Sequence, residues 1–270
     1  MTEHAIDPAF AIEEAARRLR DAKMTGAQCE PVSSLLSGQD IEAAYAVQQL
    51  NVERRIARGQ RLIGRKIGLT SMAVQRQLGV SQPDYGALLS DMIVGDGATL
   101  PPEGLLQPKV EAEVALVLGS DLDLDEPNVA DVLRAVAFVL PAIEIVDSRI
   151  RDWKISLVDT IADNASSARF VLGTPAIRAD GFDFAGCVME MTINDAPASR
   201  GDGRACMGSP LNAAVWLARR MRQLGTPLRA GDIVMTGALG PMCAIRPGDR
   251  VMARIAGLGT VGFELGGAGS

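Results

Sequence analysis

Two glutamates set two apart in an otherwise apolar segment, KVEAEVALVLG at residues 109–119, constrain this chain more than any other feature. Valine, alanine and leucine in that pattern call for a strand, and side chains along a strand alternate between its faces. Glu111 and Glu113 therefore share one face, while Val110, Ala112, Val114 and Leu116 take the other. A rise of about 3.3 Å per residue separates the two carboxylates by about 6.6 Å, near enough for both to turn onto one ion. On a solvated face the pair needs no explanation. On a buried face it needs a compensating charge, and a hard divalent cation is the natural one. A second segment, VLPAIEIVDSRI at residues 139–150, repeats the peculiarity, with Glu144 interrupting a run of aliphatic residues. Pro141 within it suggests an edge strand or a bulge. Three such acids without matching core cations suit an all-oxygen, octahedral Mg²⁺ or Mn²⁺ site completed by water or substrate.

A length of 270 residues suits one large domain, or one domain with an appendage. The net charge of −6, the absence of a Lys/Arg run and an aromatic content of 4% argue against nucleic acid or anionic membrane as partners. Cys29, Cys187, Cys206 and Cys243 are scattered, with no CxxC, which disfavours zinc and disulfides and fits a reducing cytoplasm. The N-terminus carries Glu3, Asp7, Glu13 and Glu14 and no apolar signal core. The longest apolar run, residues 135–143, is too short to span a bilayer. A soluble, cytoplasmic protein is expected. The only histidine is His4, in what reads as a tail, so acid–base work falls to Lys, Asp, Glu, Tyr or water.

Residues 1–60 read as a helical region: an amphipathic stretch over 8–23, then a helix to Arg58 opened by Ser37 and Asp40 in a capping-box arrangement. From 61 to 270 the chain reads as a β-rich domain of short apolar strands broken by Gly, Pro and Asp. Strands are expected at 61–71, 109–119, 140–148, 231–237, 248–255 and 260–265, with helices after Ser71, near 128–137 and from Ser209–Pro210 to Gly225. Strand and helix do not alternate regularly, so the expected fold class is α+β: a mixed, mostly antiparallel β core with helices at its edges.

Other candidate residues are individually ambiguous. Lys66, flanked by Gly64 and Gly68, is either a surface lysine or one pointing inward toward carboxylates. Asp84, in SQPDYG, is at face value a structural turn aspartate. Asp147 falls on the opposite strand face from Glu144 and is expected to pair with Arg149 or Arg151. In DTIADNASSARF (159–170), Asp163, Asn164 and Ser166 suit helix capping or a pocket wall. Thr236 and Gly237 form either a ligand-facing turn or a strand exit.

Together IGRKIGLTS, QPDYG, PKVEAEVA, PAIEIVDSRI with DWK at 152–154, DTIADNASS, GSPLNAAVWLA and AGDIVMTG closely resemble the 2-oxopent-4-enoate (2-hydroxypentadienoate) hydratases. These belong, with the oxalocrotonate decarboxylases, to the fumarylacetoacetate hydrolase-like superfamily. The resemblance implies a β roll or barrel-like core preceded by helices, in a homo-oligomer associated in some cases with a pathway decarboxylase. It places Glu111, Glu113 and Glu144 at metal-ligand positions, Lys66 and Asp84 at acid–base positions, and Ser166 and Thr236 where substrate contacts are expected. The implied reaction adds water to 2-hydroxypenta-2,4-dienoate, giving 4-hydroxy-2-oxopentanoate, in meta-cleavage degradation of aromatic compounds. The alternative on the same scaffold is a metal-dependent 2-oxo acid decarboxylase. Asp84 and DWK point to the hydratase branch, whereas SRGDGRACM (199–207) is more charged than the branch pattern.

Overall fold

The computed structural model describes residues 7–36, 40–71, 75 and 82–267. His4, Ser37 and most of the helix expected after Ser71 lie outside these residues.

Helix α1 (Pro8–Thr25) opens on Asp7, whose carboxylate accepts the Ala9 N–H, and closes at Gly26 in the left-handed region that glycine adopts without strain. Helix α2 (Ile41–Ala57) is capped by Asp40, which accepts the Ala43 N–H, so the expected cap falls to the aspartate. Three further helices are α3 (Val129–Ala135), α4 (Leu157–Ala162) and α5 (Pro210–Gln223). As Ser209–Pro210 predicts, the Ser209 hydroxyl accepts the Leu211 N–H at the start of α5. Ala15, Ala16 and Leu19 of α1 and Ala44 and Val47 of α2 bury themselves against Ile150 and against Val158 and Ile161 of α4. Among the described residues no helix is long and apolar enough to cross a membrane.

Among the described residues thirteen strands make two sheets. The larger contains β1 (Leu62–Gly68), β2 (Asp84–Leu89), β3 (Ile93–Val94), β5 (Lys109–Leu118), β6 (Val136–Val146), β7 (Ser167–Leu172) and β10 (Ile233–Ala238), in the order β2-β1-β10-β5-β6-β7-β3. The short β11 (Cys243–Ala244) adds to β5. The smaller contains β4 (Thr99–Leu100), β8 (Val188–Ile193), β9 (Ala196–Asp202), β12 (Arg250–Ile255) and β13 (Gly259–Leu265), in the order β4-β13-β12-β8-β9. Pairing is antiparallel except for β1 with β10, β3 with β7 and β4 with β13. The mixed, mostly antiparallel α+β core is therefore present.

The alternation read from β5 decides what each face does. Val110, Ala112, Val114 and Leu116 join one core cluster with Val251, Ala253, Val261 and Phe263 of the second sheet and with Leu217 and Met221 of α5. The opposite face carries Glu111 and Glu113, then continues into a second apolar cluster of Ala115, Ala142, Phe170 and Met235. The acids thus sit at one end of a face whose other end is dry.

Two expectations about β6 are corrected. The strand begins at Val136, directly where α3 ends, because Val136, Phe138 and Val139 favour extended backbone. Nor is β6 an edge: it lies between β5 and β7, and its register is regular at Pro141, which faces Val114. A strand residue points its N–H and carbonyl to the same side. The Pro141 carbonyl accepts from Gly173, just past the end of β7, so its missing N–H falls where the β7 ladder has stopped.

One buried amide ties the helical region to the sheet. Gln48 of α2, 5% exposed, donates from Nε2 to the carbonyls of Tyr85 in β2 (3.0 Å) and Ile161 in α4 (2.9 Å). Beside it Tyr45 and Tyr85 stack with centroids 4.4 Å apart. Gln48→Leu leaves two carbonyls without that donor and is expected to lower the unfolding free energy by about 2–3 kcal/mol. Urea denaturation reads this directly; an unchanged midpoint would show that the amide is not a structural tie.

Candidate active site

Antiparallel register sets Glu111 of β5 directly opposite Glu144 of β6, and Glu113 follows two residues along the same face. Carboxylate oxygens of these three residues all lie within 4.8 Å of one another. Among the described residues they are the one group of potential metal-ligating side chains gathered so closely. Glu113 and Glu144 are fully buried and Glu111 is partly so. Like charges directly opposite on a strand pair repel, and burial makes the repulsion costlier.

Little in the protein relieves it. Glu113 accepts the Gly237 N–H through Oε2 at 2.8 Å, but its Oε1 and both oxygens of Glu144 have no hydrogen-bond partner. Burial, then the Glu144 charge, pushes Glu111 up to about 7. The same two causes hold Glu113 well above the carboxylate range. Orphaned carboxylate oxygens converging at this separation fit a divalent cation: the donors are hard, anionic and unsatisfied.

Among the described residues Lys66 is the one cation in an ion pair with them. Its Nζ lies 3.2 Å from Glu144 Oε2 and donates to the Ala165 carbonyl at 2.9 Å, with the residue 3% exposed. Burial alone would lower its pKa, but Glu144, Asp84, Glu111 and Glu113 outweigh it and hold Lys66 above its ordinary value, so it stays an ammonium. Asp84, 1% exposed, has an unpartnered Oδ1. Burial raises its pKa against the opposing pull of Lys66. In the β1–β2 register Lys66 faces Gly86 and Gly68 faces Asp84, so each of these two side chains lies across from a glycine. A Cβ on Gly68 would sit 2.2 Å from Asp84 Oδ1, and one on Gly86 would sit 2.5 Å from the Asn164 carbonyl. Only glycine leaves these side chains their room.

The carbonyl that holds Lys66 comes from a strained loop. Asn164, Ala165 and Ser166 all have left-handed backbones, with φ of 57°, 50° and 55°. Such residues cost about 1–2 kcal/mol each and persist only when their surroundings over-determine them. Two hydrogen-bonded devices do so. The Asn164 amide clamps Ala87 of β2 at both ends, accepting its N–H at 2.8 Å and donating to its carbonyl at 3.0 Å. Behind it, Asp163 binds Arg149 through the backbone N–H at 2.9 Å and the guanidinium at 2.5 Å.

The seven candidate residues are therefore not equivalent in placement. Lys66, Asp84, Glu111, Glu113 and Glu144 converge on one face. Ser166 is buried on the strained loop, its Oγ 3.2 Å from Thr160 Oγ1. Thr236 is brought alongside but not in: its hydroxyl donates to the Val114 carbonyl at 2.7 Å, and it is the next residue's N–H that reaches Glu113. Asp147 pairs with neither Arg149 nor Arg151. It accepts the backbone N–H groups of Leu106 and Gln107, because β6 ends at Val146 and turns it toward that loop. Asp163 and Asn164 cap no helix start; Asp163 closes α4. The Arg149–Asp163 pair, the Asn164 clamp and the paired glycines were not read from sequence. The signals available were Arg149 following DS and the uncommon DN pair after an apolar helix.

The model of the fumarylacetoacetate (FAA) hydrolase C-terminal family matches residues 31–265. The chain is 55% identical over 249 residues to 2-keto-4-pentenoate hydratase 1 of Dechloromonas aromatica (strain RCB), covering 92% of this chain and 95% of that protein. It is 40% identical over 256 residues to 2-hydroxyhexa-2,4-dienoate hydratase of Comamonas testosteroni, covering 94% and 97%. Among solved structures, 4-oxalocrotonate decarboxylase from Pseudomonas putida G7, complexed with magnesium and adipate, superposes with a TM-score of 0.90 at 31% identity, covering 96% and 98%.

Replacing Asn164 tests the clamp separately from the strain. Asn164→Ala loses two buried hydrogen bonds and puts alanine in the left-handed region, for an expected loss of about 3–4 kcal/mol. Asn164→Gly loses the bonds alone and is expected to cost less, measured by urea midpoints. Equal losses would mean that the backbone conformation is not strained.

Proposed function

The chain belongs to the fumarylacetoacetate hydrolase C-terminal family, and from that premise we propose that it is a metal-dependent hydro-lyase adding water to 2-hydroxypenta-2,4-dienoate to give 4-hydroxy-2-oxopentanoate. The observation that carries the reading is the convergence of three glutamates with orphaned oxygens on Lys66 and Asp84. The greater identity to the keto-pentenoate hydratase than to the hydroxyhexadienoate enzyme supports the shorter substrate.

In this reading Glu111, Glu113 and Glu144 hold a divalent cation, Mg²⁺ or Mn²⁺ by the all-oxygen donor set. When bound, that ion supplies Lewis-acid polarisation of a 2-oxo acid head group. The chain's own residues do the rest. The dienol must gain a proton at C5 as its 2-hydroxyl gives one up, then accept water at C4 as that water loses a proton and C3 gains one. Asp84 suits proton exchange, because burial raises its pKa above the ordinary carboxylate value and leaves its Oδ1 without a partner. Lys66 is held cationic by its carboxylate neighbours, so its part is to stabilise negative charge and fix Asp84 electrostatically. The Ala165 carbonyl orients its ammonium. Ser166 is assigned to contact substrate from the strained loop. Thr236, whose hydroxyl is taken by Val114, serves by placing the Gly237 N–H on Glu113.

Residues 1–60 act as a helical region bracing the catalytic part, 61–270, and the enzyme works on a small-molecule substrate in the cytoplasm as a homo-oligomer. Val129 and Leu133, exposed one turn apart on α3, supply apolar surface for that assembly. Association with a pathway decarboxylase rests on the resemblance alone.

A second reading, a 2-oxo acid decarboxylase using the same site, is favoured by the superposition on the oxalocrotonate enzyme. Assaying dienoate consumption against carbon dioxide release from 2-oxohex-3-enedioate separates the two.

Glu113→Ala is expected to abolish turnover and metal binding together, with the fold retained by circular dichroism; normal turnover under strong chelation would remove the metal from the reaction. Asp84→Asn is expected to lower kcat by about 10²-fold or more with Mn²⁺ affinity kept within a few-fold. Unchanged hydration by that variant takes Asp84 out of proton transfer.

A further inference from the structure

A cavity of about 410 Å³ lies between α1, α2 and the outer side of the strained loop. Asp163, Asn164 and Ser167 line it, whereas Lys66, Asp84 and the three glutamates do not, so it is separate from the metal centre. Its lining holds six cationic side chains and two carboxylates.

Both carboxylates are already occupied. Asp91 pairs with Arg55 and Asp163 with Arg149, each at 2.5 Å. Arg20 gives its guanidinium to the neutral Asn51 amide at 2.8 Å. The side chains of Lys23 and Arg58 have no hydrogen bond or ion pair among the described residues. Excess positive charge is thus gathered around a concave, partly desolvated space, where mutual repulsion is poorly screened. Burial, followed by Arg55, Arg149 and Arg169, brings Lys23 down to about 8, with Asp91 the opposing charge.

An independent observation points to an occupant. Ser167 is 4% exposed, and its hydroxyl is buried with no partner. A buried hydroxyl left unmade costs about 1–3 kcal/mol, and an oxyanion in the cavity supplies the missing acceptor. The walls add a further requirement. Leu19 of α1 and Val52 of α2 present aliphatic surface to the same space, and the volume falls within the range of small-molecule pockets.

We propose that this cavity is a binding site for a small organic oxyanion, a carboxylate whose apolar body rests on Leu19 and Val52 while its head group meets Lys23, Arg58 and the Ser167 hydroxyl. The site is independent of the proposed hydratase reaction, so either can fail without the other.

Isothermal titration of the metal-loaded enzyme with benzoate, and separately with inorganic phosphate, tests it. Benzoate is expected to bind saturably, about tenfold or more weaker in Lys23→Met and measurably weaker in Ser167→Ala, with both variants folded and retaining turnover. Affinity is expected to fall as pH rises through 8 to 9, where Lys23 gives up its proton. Phosphate binding as tightly as benzoate would overturn the role given to the apolar walls. Absence of saturable benzoate binding by about 10 mM, or binding unchanged in Lys23→Met, would overturn the site itself.

Discussion

Repulsion among buried carboxylates is the constraint around which this molecule is arranged. Glu111 and Glu144 face each other across adjacent strands, Glu113 and Asp84 lie on the same side, and among the described residues Lys66 is the one cation that pairs with them. A stable fold tolerates such a cluster only if it is rigidly built elsewhere. The opposite face of β5 is packed into the largest apolar core, and the same face becomes apolar one pair beyond Glu113. The acids are therefore held by strands that have no alternative register, since a one-residue slip would bury them in the core.

Lys66 is positioned from several directions. Gly86 and Gly68 open space on β2 and β1, the left-handed loop offers the Ala165 carbonyl, and the Asn164 clamp and Arg149–Asp163 pair keep the loop in place. Local backbone strain is stored beside the carboxylate cluster and balanced by hydrogen bonds outside it. The outer side of that loop is also the wall of the basic cavity, so one short segment borders both spaces.

Much of this was legible in the chain. Alternation in KVEAEVALVLG separates the acids from the core residues, and Ser209–Pro210 announces α5, because both signals depend only on neighbouring residues. Pro141 misled for the opposite reason: whether a missing N–H matters depends on where the neighbouring strand ends, and β7 stops just short of it. Asp147 misled similarly, since its partners are backbone groups of a loop some forty residues away in sequence. Thr236 reads as either a ligand-facing turn or a strand exit, and the neighbouring residues do not show that its hydroxyl closes a bond to β5.

What the residues alone determined is the chemistry on offer: hard anionic donors on one strand face, a lysine between glycines, and a single histidine in the whole sequence. That follows from composition and the two-residue period of a strand. Only the tertiary structure decided that β5 and β6 pair so that Glu111 meets Glu144, that Lys66 reaches this pair rather than solvent, and that Arg149 and Asn164 support the loop behind it. Pairing register and loop anchoring arise from contacts between distant segments, and no local pattern encodes them.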